Sequence, residues 1–104
     1  MPTGANRVRL DLNSPEFQDV FFRLEAAELK QVVASLRRLS ELDWAALYRH
    51  TGLQWEAVKH IKAPNGSGVY SLRVSQKVRA LAFRDGHFLR FVSLHPDHDS
   101  AYRR

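Results

Sequence analysis

The last third of the chain holds the side chains best suited to act on a phosphate. Arg73, Arg79 and Arg90 lie in segments where polar and apolar residues alternate, and two histidines three apart, His95 and His98, precede Tyr102. Arginine carries a permanent charge on a planar fork of donors that fits phosphate, and histidine gives or takes a proton near neutral pH. Together these groups suffice for phosphodiester cleavage without a metal. A ribose 2′-OH attacks the adjacent phosphate, a base removes its proton, an acid protonates the leaving 5′ oxygen, and cations steady the added charge. Tyr102 can stack on a base or donate a proton. Lys77, Arg90, Arg103 and Arg104 are candidate RNA contacts around that centre. Each residue also has a plainer reading: an arginine alternating along a strand is often a solvated face residue, and Tyr102 can simply pin the tail. His95-Pro96-Asp97-His98-Asp99 has the residue types of a metal site, but no third, distant ligand is evident, so no metal and no cofactor are expected. His50, His60 and His87 have no evident partner and read as surface residues.

The charge distribution points the same way. Sixteen Lys and Arg against eleven Asp and Glu give a net +5. Residues 1–60 carry eight of each sign, whereas residues 61–104 carry eight basic and three acidic side chains, so the whole excess sits in the last 44 residues. Such a half is suited to a polyanion, either nucleic acid or an acidic protein segment. The absence of cysteine excludes a disulfide scaffold, a zinc ribbon and a thiol nucleophile. No uncharged run approaches a membrane span and residues 1–7 have no apolar signal region, so a soluble cytoplasmic protein is expected. A length of 104 residues suits one domain over 1–104.

These residues must be held by elements that the hydropathy pattern outlines. Val8, Leu10 and Leu12 alternate with polar residues as in a half-buried strand, and Asn13-Ser14-Pro15-Glu16 then opens a helix, with Asn13 and Glu16 spaced as a capping box. Its inner face would be Phe17, Val20, Phe21 and Leu24. After a break near residues 25–27, Leu29, Val32, Val33, Leu36 and Leu39 form a second inner face, giving a helical hairpin or one broken helix. Asp43 caps a short third helix, which Gly52 can end in a left-handed conformation. Trp55, Val58 and Ile61 form one more apolar face, helical or extended. After the turn cluster at residues 63–68, the only evident flexible loop, the period changes from 3.6 to 2. Residues 69–74, 78–83 and 87–94 read as a three-stranded meander. The order predicts an α+β fold in which an N-terminal strand and helical hairpin pack on one face of a small antiparallel sheet. Tyr70, Leu72 and Val74 would face the helices, leaving Arg73 and Ser71 on the open face; if Ala80 and Ala82 also face the helices, Arg79 lies beside Arg73.

Val69-Tyr70-Ser71-Leu72-Arg73-Val74, Val78-Arg79-Ala80-Leu81-Ala82-Phe83, an Asp-Gly turn, an apolar strand and a closing His-x-x-His-Asp-x-x-Tyr resemble the C-terminal half of the RelE/ParE superfamily of toxins from type II toxin–antitoxin systems. The helical hairpin fits the same fold, so the resemblance spans most of the chain, with its specific part in residues 69–102. It implies a ribosome-dependent, metal-free endoribonuclease acting on mRNA, with a cognate antitoxin as partner. Arg73 matches the basic strand residue of the ribosome-dependent members, Arg79 the arginine that contacts the scissile phosphate, and Tyr102 the C-terminal tyrosine that stacks or assists proton transfer. The chain departs from the RelE type in two respects: His95 and His98 occupy a segment where that type has an arginine, and Ser71 stands where it has a lysine. Histidine-bearing members are similar in using imidazole as acid or base. Two other functions stay open: a ParE-like inhibitor that binds DNA gyrase without hydrolysis, and a non-catalytic protein-binding module.

Overall fold

The structure, a computed structural model, describes residues 6–96. Three helices and a five-stranded sheet make an α+β fold, with the elements ordered β1 (Arg9–Asp11), α1 (Pro15–Phe21), α2 (Ala26–Ser40), α3 (Trp44–Arg49), a 3₁₀ turn (Thr51–Leu53), β2 (Glu56–Lys62), β3 (Gly68–Arg73), β4 (Arg79–Asp85) and β5 (Phe88–His95). The sheet order is β1-β5-β4-β3-β2. Strands β2 to β5 form an antiparallel meander, and β1 joins β5 in parallel, with Leu10 opposite Leu89. The meander therefore has four strands rather than three, because the Trp55–Ile61 pattern is extended and supplies β2. Among the described residues no helix is long and apolar enough to cross a membrane.

Local chemistry explains most of these boundaries. Ser14, not Asn13, caps α1: its Oγ accepts from Phe17 N (3.4 Å) and donates to Val92 O (2.7 Å), tying the helix start to β5. The expected Asn13–Glu16 capping box does not form: the cap moves one residue to Ser14, Asn13 N bonds Asp11 Oδ1 instead, and Pro15 takes the first helical position, where its missing N–H costs nothing. The two helices are separate, divided at residues 22–25. Asp43 caps α3 through Ala46 N at 2.7 Å, as anticipated. Gly52 does not end that helix in a left-handed conformation. It lies in the 3₁₀ turn, and the left-handed residue is Gln54, at φ 48°.

The helices cover one face of the sheet. Phe17, Val32, Leu39, Leu47, Leu72, Ala80, Ala82 and Leu89 are all buried in the core between them. Phe17 stacks on Phe21 and leans on Phe91, with ring centroids 5.4 and 5.3 Å apart. Val33 was expected on the inner face of α2 but is 40% exposed. One residue is a 100° turn, and the stripe through Val32, Leu36 and Leu39 leaves Val33 at its margin. The other face carries a smaller apolar group, in which Ala63, Val69 and Phe83 are buried with Ile61, Leu81 and Val92 around them. The register of β2 on β3 shifts between Val58 and Lys62, beside this group. The 63–68 segment is a tight hairpin turn, closed by Gly66 N to Ala63 O and Ala63 N to Ser67 O, with Gly66 at φ 85°.

Candidate functional site

Pairing across β3, β4 and β5 brings three of the singled-out residues into one row. Arg73 is directly opposite Arg79, and Arg79 directly opposite His95. Alternation keeps all three on the face away from the helices, because Leu72, Ala80 and Leu94 on the other parity are buried in the helix-side core. With strands roughly 4.8 Å apart, the row spans about 10 Å at one end of the sheet. Lys77, exposed, sits in the turn joining β3 to β4. That turn is held by Ser75, whose Oγ accepts from Lys77 N and Val78 N and bonds Glu28 Oε2 at 3.2 Å, anchoring it to α2.

Arg79 is fixed rather than free. Its Nε donates to Ser71 Oγ (2.8 Å), one terminal nitrogen to Gln54 Oε1 (3.3 Å) and the other to Gln54 O (3.1 Å). Three of its five N–H donors are thereby used, and one on each terminal nitrogen remains for an anion. Gln54 was not singled out by the sequence. Its role depends on a left-handed backbone, which glutamine, unlike glycine, asparagine or aspartate, does not signal. Ser71 braces Arg79 instead of adding charge to the row. Arg73 is exposed and makes no hydrogen bond or ion pair among the described residues. Like charges on directly opposed residues of neighbouring strands destabilise the pair, and an anion held by both would relieve that repulsion. His95 completes the row, with its Nε2 3.0 Å from Ser93 Oγ on its own strand. Ser93 is buried, so its hydroxyl gives the ring a fixed anchor.

Two other arginines of the basic half are already engaged. Arg90, expected as an RNA contact, lies between two carboxylates, pairing with Asp11 on the parallel neighbour β1 and with Asp85 at 2.9 Å. The backbone N–H of Asn13, followed by Arg90, holds the Asp11 carboxyl below its ordinary range, while Asp11 and then Asp85 raise the Arg90 guanidinium. Arg84 lies over the Trp44 ring at 4.1 Å and donates to Tyr48 Oη at 3.1 Å. Arg73, Lys77 and Arg79 thus lie together at one end of the sheet with no carboxylate partner among the described residues. His98, Tyr102, Arg103 and Arg104 lie outside the described residues, as do Asp97 and Asp99 of the alternative metal reading. Among the described residues no three His, Asp or Glu side chains gather as metal ligands. His50, read as a surface residue, is half-buried, and its Nδ1 is enclosed without a hydrogen-bond partner.

No protein-family model and no curated protein matches the chain. A solved structure does share its fold: a copper-bound single-substitution mutant of a toxin from Helicobacter pylori superposes with a TM-score of 0.50 at 18% identity, covering 91% of this chain and 99% of that one.

Proposed function

We propose that the protein is the toxin of a toxin–antitoxin pair and cleaves mRNA on the ribosome. The observation that carries this reading is the Arg73–Arg79–His95 row on the helix-free face, with Arg79 braced and two of its donors left over. The shared fold with the Helicobacter pylori toxin supports a toxin role, and the resemblance of residues 69–102 to the RelE/ParE superfamily supports the ribonuclease branch. In this mechanism Arg73 and Arg79 hold the scissile phosphate and the charge that builds on it. His95 either takes the 2′-OH proton or protonates the leaving 5′ oxygen, and His98 or Tyr102 does the other. An acidic antitoxin segment that covers the row would neutralise the toxin, and the unpaired cations would speed its capture at low salt.

Induced expression with pulse labelling, followed by primer extension on a ribosome-bound message, tests the reading. Arrested translation with discrete 5′ ends in the message, absent in Arg79→Ala at equal expression, is the expected result. DNA damage without message cleavage would establish the gyrase-directed alternative instead. Normal growth would leave only a protein-binding role.

A further inference from the structure

Beside the row, at the same end of β3, lies a cavity of about 200 Å³ between α2, the segment 50–53 and the strand end. Leu42, Leu53 and Val74 form part of its apolar lining, and Arg38, Arg73 and His50 its cationic and imidazole lining. We propose that this cavity is a nucleoside-binding subsite, which takes the base of a nucleotide whose phosphate lies on Arg73. The proposal rests on the ribonuclease reading above and adds to it a determinant of where the message is cut.

Four features favour a nucleotide. At ~30 Å³ per water the volume corresponds to only about six or seven waters, the scale of a single heterocycle rather than a drug-sized ligand. Apolar walls suit the flat faces of a base. His50 lines the cavity with an imidazole that makes no side-chain hydrogen bond among the described residues, and a base edge carries the complementary donors and acceptors. Finally, Arg38 and Arg73 have no ion-pair partner among the described residues, so the ligand should carry negative charge. Gly52 belongs to the same design: a Cβ there would meet His50 Cε1 at 3.1 Å, so glycine lets the ring lie close against the backbone. Arg73 links the two places, because it lines the cavity and also stands opposite Arg79.

The full chain, labelled at Leu and Val methyls, is titrated with the four ribonucleoside 5′-monophosphates and separately with inorganic phosphate. At least one nucleotide should shift the Leu53 and Val74 methyl signals saturably, phosphate should not, and His50→Phe and Arg38→Gln should each weaken that binding tenfold or more. Arg38 is exposed on α2, so its variant keeps the test intact if His50→Phe fails to fold. The proposal is overturned if phosphate reproduces the shifts, if nucleotides move only the Leu81 methyls on the opposite face, or if an acidic peptide saturates the signals and no nucleotide does. Mapping message cleavage in parallel separates the two readings. Methyl shifts without any cleavage defeat the ribonuclease reading alone, whereas cleavage with unchanged base preference in Arg38→Gln and no methyl shift defeats the subsite alone.

Discussion

Arg73 and Arg79 face the same phosphate in the proposed mechanism, yet the structure attaches them differently, and that difference can be measured. Arg79→Ala removes three hydrogen bonds. A net hydrogen bond contributes roughly 0.5–1.5 kcal/mol, but the two Gln54 acceptors are exposed and regain water, so little more than the Ser71 bond counts in full. Relief of the repulsion with Arg73 returns a few tenths of a kcal/mol. The net loss is about 1 kcal/mol, a fall in Tm of about 4–8 °C for a chain of this size. Arg73→Ala removes no bond and relieves the same repulsion, so its stability should stay within about 0.5 kcal/mol of the parent. Both substitutions remove a charge aimed at the phosphate and should reduce message cleavage on the order of 10²-fold or more. The assay pairs thermal denaturation with primer extension on the same purified variants. An Arg73→Ala protein that cleaves normally would refute the shared role. One that loses about 2 kcal/mol or more would mean that Arg73 is structural and the open-face assignment is wrong.

Gln54→Gly should match or exceed the parent in Tm despite losing the Oε1 bond, because glycine adopts φ 48° without the roughly 1 kcal/mol that an L side chain incurs there; Gln54→Val should be destabilised by at least that much, both read by thermal melts. Phe17→Ala, at a fully buried ring packed against Phe21 and Phe91, should cost about 3–5 kcal/mol in a urea titration. The Asp11 carboxyl is lowered in the folded state from an ordinary 3.8, so its contribution is present above that value and is lost as pH falls through the lower folded one. Urea midpoints measured between pH 2 and 6 should therefore fall below about pH 4, and Asp11→Asn should flatten that limb. Asp43→Ala removes the α3 cap and should cost about 1 kcal/mol.

What could be read from the sequence was whatever depended on neighbours in the chain. Arg73 and Arg79 come together because a short turn joins their strands, and alternation then fixes their common face. The cap at Asp43 and the start of α1 are equally local, apart from the one-residue choice between Asn13 and Ser14, which Ser14 wins by also reaching Val92 O on β5. Arg90 could not be assigned in this way. Its alternation matches that of Arg73; Asp85 reaches it across the local hairpin, but only the parallel pairing of β1 with β5, across some eighty residues of chain, sets Asp11 on its other side. Gln54 was hidden for a similar reason: its contacts to Arg79 are made 25 positions away, from a backbone conformation that glutamine does not advertise. His50 lost its surface position to the 3₁₀ turn that follows it, which brings Gly52 against its ring.

Three locally unfavourable features gather at one end of the molecule. Two arginines oppose each other across β3 and β4, Gln54 is the one non-glycine residue with positive φ among those described, and His50 Nδ1 is the one buried side-chain polar atom among them without a partner. Each raises the free energy of the empty protein, and a chain selected for stability alone would remove all three with single substitutions. Elsewhere comparable groups are satisfied: Arg90 has two carboxylates, Arg84 an aromatic ring and a hydroxyl, Ser14 and Ser75 full sets of bonds. Strain and unmet polarity confined to one site are what a pre-organised binding surface requires, because a ligand that supplies the missing charge and hydrogen bonds recovers that free energy on binding. A phosphate held by Arg73 and Arg79 would relieve the first of these directly, and the left-handed Gln54 is what fixes Arg79 in the position that such a phosphate would meet.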